Sequence, residues 1–258
     1  MLYSQYRVWR TENLRKVDGV LVATDRTQEW MLPWWWEHYV GCNDYPVAFV
    51  DFGMSEKMKE WCSERGELIP LPLSDVFVVE QEEIEEDLIR SWKIDVNTYS
   101  SSRRAWFKKP FACLWSPFRR TLWLDLDCEV RGSLAPLFDV STDPSGIALY
   151  EELISDPYPI YNSGVISFQR GIPLIEAWAA ECFSKNHHYR GDQEVISHLI
   201  AKLGIGVGRL SRQMNWLRWY GEASDILVFH RCGEIAHRNI FSEIETRKVE
   251  EFRSRFSS

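Results

Sequence analysis

The chain has 258 residues, 45% hydrophobic and 26% charged, with a formal net charge of −8. That length accommodates one sizeable α/β core, and the acidic balance argues against a general nucleic-acid binder. Six scattered cysteines without a CxxC pair read as buried thiols in a reducing compartment. The first ten residues lack a signal-peptide core, and no apolar run approaches the roughly 18 residues of a membrane span. The expected location is the cytoplasm, with peripheral membrane contact as the furthest reach towards a bilayer.

Residues 19–24 read as a buried first strand. Asp25 and Gln28 have capping-box spacing ahead of a helix in which Trp30 and Trp34, and on the neighbouring stripe Leu32, Trp35 and Tyr39, recur at helical intervals. Pro33 fits only near that helix's start. The run Trp34-Trp35-Trp36 spans different helix faces; core packing is the simpler role, and an exposed ring would suit an acceptor. Residues 46–51 predict a second strand, residues 55–62 a short helix closed at Gly66, and residues 68–71 a third strand. This alternation predicts a Rossmann-like sheet with crossover helices, and the missing GxGxxG argues against a dinucleotide cofactor.

Residues 80–87 are acidic, a solvated helix face or loop. Between Ser101 and Arg120 there is no acid. There Arg103, Arg104, Lys108, Lys109, Arg119 and Arg120 alternate with Trp106, Phe107, Phe111 and Trp115, which predicts an amphipathic helix. Its cations suit an anionic ligand or pairing with the acidic stretch. It leads into Thr121-Leu-Trp-Leu-Asp125-Leu-Asp127. If that run is a strand, alternation puts Asp125 and Asp127 on one face at its carboxyl end, where ligands bind in open α/β sheets. Neighbouring carboxylates repel, and a hard cation such as Mg2+ or Mn2+ removes the penalty. The plainer alternative is an acidic, solvated turn.

Residues 146–150 predict a further strand. Pro157 to Tyr161 is a turn-rich approach to Asn162-Ser163-Gly164, a tight turn if the glycine takes a positive φ, before a strand over residues 165–168. Gly171-Ile-Pro173 opens a helix with Leu174, Trp178 and Cys182 on one face. Gly191-Asp192-Gln193 precedes an apolar-periodic helix stopped by Gly204, where Asp192 has the position of an N-cap. Residues 226–230 predict a late strand ending at His230, followed by Gly233 and His237. The charged tail from Glu243 suits a terminal helix.

Taken in order and spacing, Lys109-Pro110, Leu-Trp-Leu-Asp125-Leu-Asp127, Asn162-Ser-Gly-Val165, Gly191-Asp-Gln193 and His230-x-x-Gly233 resemble the GT-A-fold glycosyltransferases. The likeness is to family 8, which includes glycogenin and bacterial lipopolysaccharide galactosyltransferases, and it spans roughly residues 19–237. It implies an α/β fold with a Rossmann-like mixed central sheet flanked by helices, in a single domain over residues 1–258. The nucleotide-binding half would cover about 17–130 and the acceptor and metal half about 131–240, before a charged tail. It implies retaining transfer of a sugar from a nucleotide-sugar donor, usually a UDP-sugar, with Mn2+ or Mg2+. The acceptor would be a carbohydrate, a lipid-linked molecule or a protein.

By the same likeness Asp125, Asp127 and His230 hold the metal, and Ala23, Thr24 and Asp25 lie beside the uridine. Leu126 lies with Asp125 on the donor side. Lys109 and Arg104 contact phosphate or sugar, Asn162 faces the donor sugar or the acceptor, and Asp192 and Gln193 sit near the anomeric carbon. Two positions depart from the family pattern. The expected late lysine is Ala236, which leaves phosphate binding to His237, to Arg238 or to the earlier basic helix, and the acidic residue before Asn-Ser-Gly is missing, with Pro159 and Ile160 in that stretch. The alternatives are a haloacid dehalogenase-type phosphatase, whose Asp-X-Asp normally opens the chain, and a non-catalytic nucleotide- or carbohydrate-binding protein on the same fold.

Overall fold

A computed structural model describes residues 17–73, 77–92, 96–140, 143–152 and 159–256. The stretch inspected for a signal peptide and Pro157 lie outside the described residues. The strands are β1 (Asp18–Thr24), β2 (Val47–Asp51), β3 (Glu67–Pro70), β4 (Arg120–Leu124), β5 (Cys128–Val130), β6 (Ile147–Glu152), β7 (Ile160–Gln169), β8 (Gly208–Arg209), β9 (Trp216–Leu217) and β10 (Val228–His230). The helices are α1 (Leu32–Val40), α2 (Glu56–Ser63), α3 (Glu86–Ser91), α4 (Val96–Leu114), α5 (Ala135–Val140), α6 (Pro173–Lys185), α7 (Asp192–Leu203) and α8 (Gly233–Phe256).

Alternation along the strands creates two cores, one on each face of a sheet. Leu21, Ala48, Val50, Ile69 and Trp123 point to one side, where Phe107, Trp178 and Val195 of α4, α6 and α7 cover them. Val20, Val22, Phe49, Leu122 and Leu124 point to the other, against Trp34, Trp35 and Tyr39 of α1, Cys62 of α2 and Phe138 of α5. A sheet covered on both faces needs such near-continuous apolar strands. The sheet has seven strands in the order β3-β2-β1-β4-β7-β6-β8. β1, β2, β3 and β4 are parallel, β7 runs antiparallel to β4 and β6, and β8 is parallel to β6. A smaller sheet, β5-β10-β9, pairs β10 antiparallel to β5 and parallel to β9.

Several expectations need correction. Asp25 does not cap α1: it accepts from Thr27 N–H (2.8 Å) and Gln28 N–H (3.2 Å), shaping a turn before a short 3-10 helix, and α1 begins at Leu32 with Pro33 in its first turn. Trp34 and Trp35 are buried, and Trp36 is half-buried against Phe49 and Trp61, so the tryptophan run packs the core. Asn162-Ser-Gly164 is no turn; it lies within β7, and Gly164 has no positive φ. The tail helix begins at Gly233 rather than Glu243. All six cysteines are free, but Cys42 is exposed and Cys232 half-buried. Among the described residues no helix is long and apolar enough to cross a membrane.

Candidate active site

The acidic pair does not share a strand face. β4 stops at Leu124, and the chain turns so that Cys128 N–H donates to Asp125 O at 3.0 Å. Each carboxylate then finds its own partner. Asp125 accepts from Trp123 Nε1–H at 2.7 Å and from Lys109 Nζ at 3.1 Å. Lys109, buried on α4, also donates to Ser163 O (3.1 Å) and Oγ (3.2 Å) and lies 3.3 Å from Asp192 Oδ2. One ammonium thus stands between two carboxylates.

Asp192 is held there by the start of α7. Gly191, not Asp192, is the N-cap, and no side chain caps the helix. Asp192 is the first helical residue and is buried; its Oδ2 has no hydrogen bond, the Lys109 contact being an ion pair outside hydrogen-bond geometry. Burial raises the Asp192 pKa, Lys109 lowers it and Asp125 raises it again, leaving the carboxyl above its ordinary range. For Lys109 burial opposes the charge, but Asp125 and then Asp192 outweigh it, and the pKa is raised.

The second centre lies where β10 meets β5. His230 pairs with Cys128 across the strands, and its Nε2 stands 3.4 Å from Asp127 Oδ1. Burial opposes both charges. In Asp127 His230 overcomes it and lowers the pKa; in His230 the sulfurs of Cys128 and Cys232, and then Asp127, overcome it and raise the pKa. Among the described residues, Asp127, Cys128 and His230 bring ligand atoms within 4.8 Å of one another. The donor set fits a divalent cation through Asp127 and His230. The Asp125 carboxylate, expected as a further ligand, is engaged by Lys109 and Trp123 and retains lone pairs for more.

A bulge in β7 brings the two centres together. Leu149 is level with Ile166 but Tyr150 with Asn162, so residues 163–165 have no partner on β6. They turn to β4 instead: Val165 is level with Leu124, and Gly164 O accepts from Asp125 N–H at 2.8 Å. The His230 ring rests against Gly164, where a Cβ would lie 2.0 Å from Cε1. Beside it, Asn162 Oδ1 accepts from Gly164 N–H (2.9 Å) and from Asn215 Nδ2 (2.9 Å). Asn162 Nδ2 donates to Glu152 Oε1 at 2.8 Å, and Gln193 Nε2 donates to the same oxygen at 3.2 Å. Gln193 Oε1 in turn accepts from Ser163 N–H at 3.2 Å.

Other expected site residues are more distant from this network or differently used. The β1–β4 register runs as far as Leu21 level with Trp123, and Ala23 and Thr24 continue β1 beyond it. Thr24 Oγ1 donates to Asp25 O at 3.1 Å, and the half-buried Asp25 carboxylate serves its own turn. The Leu126 side chain is buried in the core beneath α1. Arg104 pairs with Glu80, as the alternative of basic–acidic pairing predicted. Arg103 donates to the carbonyls of Tyr189 and Asn186, Lys108 to Phe52 O, and Arg119 and Arg120 to Asp18. Only Lys109 of the six cations thus contacts Asp125 and Asp192. His237 sits on α8 with its ring edge-on to Trp30. Sequence reasoning missed Glu152 and Asn215. Glu152, on the strand beside Asn162, supplies the carboxylate that the Asn-Ser-Gly approach lacks.

No protein-family model matches the sequence, and no curated protein matches it. Solved structures do. The galactosyltransferase LgtC, in complex with donor and acceptor sugar analogs, is 18% identical, with a TM-score of 0.56 over 84% of this chain and 87% of that one. Mouse xyloside xylosyltransferase 1, in its apo form, is 15% identical, with a TM-score of 0.54 over 84% and 98%. The glycosyltransferase GlyE of Streptococcus pneumoniae TIGR4 is 17% identical, with a TM-score of 0.53 over 85% of this chain and 55% of its own. This chain has the GT-A glycosyltransferase fold.

Proposed function

We propose that the protein is a metal-dependent glycosyltransferase that moves a sugar from a nucleotide-diphosphate donor, a UDP-sugar, to an acceptor hydroxyl with retention. The observation that carries this reading is the paired arrangement at the end of β4: Asp127 facing His230, and Lys109 between Asp125 and Asp192. The fold likeness supports the same reading and lends nothing to the phosphatase alternative. The six free thiols fit a reducing compartment such as the cytoplasm.

Asp127 and His230, with Asp125 beside them, would hold Mn2+ or Mg2+, which when bound supplies positive charge opposite a departing diphosphate. The chain's own groups do the rest. Lys109 fixes the Asp125 and Asp192 carboxylates and keeps both from repelling a bound donor by their full charge. Asp192 Oδ2, buried and without a hydrogen bond, is an acceptor ready for a sugar hydroxyl. Gln193, held at both ends of its amide by Glu152 and Ser163, sets the floor of the sugar pocket. Ala23, Thr24 and Asp25 at the end of β1 take the nucleoside side. Ala236 is buried, so His237 or Arg238 on α8 would stand in for the family's lysine. In retaining transfer the leaving phosphate oxygen accepts the acceptor's proton on the face where the new bond forms.

Calorimetric titration of UDP into wild-type and Asp127→Asn protein, each with and without Mn2+, tests the reading. Binding should need both Mn2+ and Asp127. UDP affinity that ignores the metal, or survives Asp127→Asn unchanged, overturns it.

A further inference from the structure

The side chains between the two centres form a line in which every hydrogen bond has a fixed direction. Gly164 N–H can only donate, so Asn162 must present Oδ1 to it and Nδ2 to Glu152. Ser163 N–H likewise fixes Gln193, whose Oε1 accepts and whose Nε2 must donate to Glu152 Oε1. With Asn162 Oδ1 an acceptor, Asn215 can approach it only with Nδ2, at 2.9 Å. The Asn215 Oδ1 is then the atom 3.2 Å from His230 Nδ1. An acceptor at that position requires the proton on Nδ1, so in the neutral ring the lone pair lies on Nε2, the nitrogen 3.4 Å from Asp127. Two backbone amides thus orient four side chains.

This line is costly unless it has a use. Asn215 is fully buried, and Asn162, Glu152 and His230 are each 7% exposed or less. Buried amides of this kind are tolerated only when paired.

We propose that Asn215 is a positioning residue that locks His230 in the Nδ1–H form and aims Nε2 at a divalent cation shared with Asp127. The line through Asn162 and Glu152 ties that ligand to Gln193, so the metal side and the sugar side of the site are set by one rigid unit. The proposal rests on the reading of Asp127 and His230 as cation ligands. Outer hydrogen-bond partners of this sort change metal affinity by about 10–100-fold when removed.

The test is Mn2+ binding, followed by loss of the free-ion EPR signal with and without UDP, in wild-type, Asn215→Leu and Asn215→Asp protein. Melting curves establish that each is folded, and Asn215→Ser, too short to reach His230, replaces Asn215→Leu if that variant does not fold. Asn215→Leu should bind Mn2+ about 10–100-fold more weakly. Asn215→Asp keeps an oxygen opposite Nδ1–H but gives up the donation to Asn162 Oδ1, so it should lose clearly less Mn2+ affinity than Asn215→Leu. Wild-type affinity in the leucine variant, or equal loss in both variants, overturns the positioning role and leaves the proposed function standing. A wild-type protein that binds no Mn2+ in either condition overturns the cation reading and this inference with it.

Discussion

Where His230 can sit is decided by one missing atom. A Cβ on residue 164 would lie 2.0 Å from the ring, and no flexible side-chain end is there to yield, only an imidazole tied to Asn215 and Asp127. Gly164→Ala should therefore destabilise the fold by roughly 1–3 kcal/mol, as overpacking does, and weaken Mn2+ binding. In a His230→Ala background the same substitution should cost much less in a denaturation series, because the clash is gone. An equal cost in both backgrounds would refute the contact as the reason for glycine. The sequence makes Asp125 and His230 legible because each ends an apolar run, Asp125 after β4 and His230 at the end of β10. It does not reveal Asn215 or Glu152. Their partners lie 15 and 53 residues away for Asn215, and 10 and 41 for Glu152, and such pairings leave no periodicity to read. The six cations illustrate the converse: their charge is plain in the sequence, their destinations are not.

Among the elements, β1 and β4 are the pair that carries the acidic turn, and their start is clamped. Asp18 is level with Arg120, and Arg120 Nε donates to Asp18 Oδ1 at 3.0 Å, with Arg119 3.3 Å from the same oxygen. The Arg120 hydrogen bonds overcome burial and hold the Asp18 pKa below its ordinary value. A carboxylate with a depressed folded-state pKa contributes stability that is complete above its unfolded pKa and lost as pH falls through the folded one. The melting temperature of wild type should thus exceed that of Asp18→Asn at pH 7, with the gap closing as pH drops below about 4. A gap that persists undiminished in acid would show that the clamp is not electrostatic. Element types were largely readable, since β1, β2, β4, α2 and α6 follow apolar periodicity and caps; Ser55, for example, accepts from Met58 N–H. The β7 bulge was not, because Asn-Ser-Gly has turn composition and only the neighbouring strands keep it extended. β8 and β9, two residues each, are too short for any pattern.

Over the whole molecule, the site belongs to two sheets at once. Asp125 and the Gly164 bulge lie at the carboxyl end of β4, in the middle of the seven-stranded sheet, whereas Asp127 and His230 flank the pairing of β5 with β10. A ligand that engages both should brace one sheet against the other. Mn2+ with UDP at about 100 times their dissociation constants should add about 2.7 kcal/mol to stability, a rise of about 5–10 °C in the melting temperature. EDTA should abolish the rise, and a rise that survives EDTA would point to binding elsewhere. The division between sheets also has a consequence for how the protein comes into being. Lys109, Asp125 and Asp127 are synthesised well before Asn215 and His230, which follow them by roughly a hundred residues. A nascent chain can pair its parallel strands long before it owns an imidazole to set opposite Asp127. A nascent chain that has not reached His230 thus lacks one of the two proposed cation ligands, whatever else it has already folded.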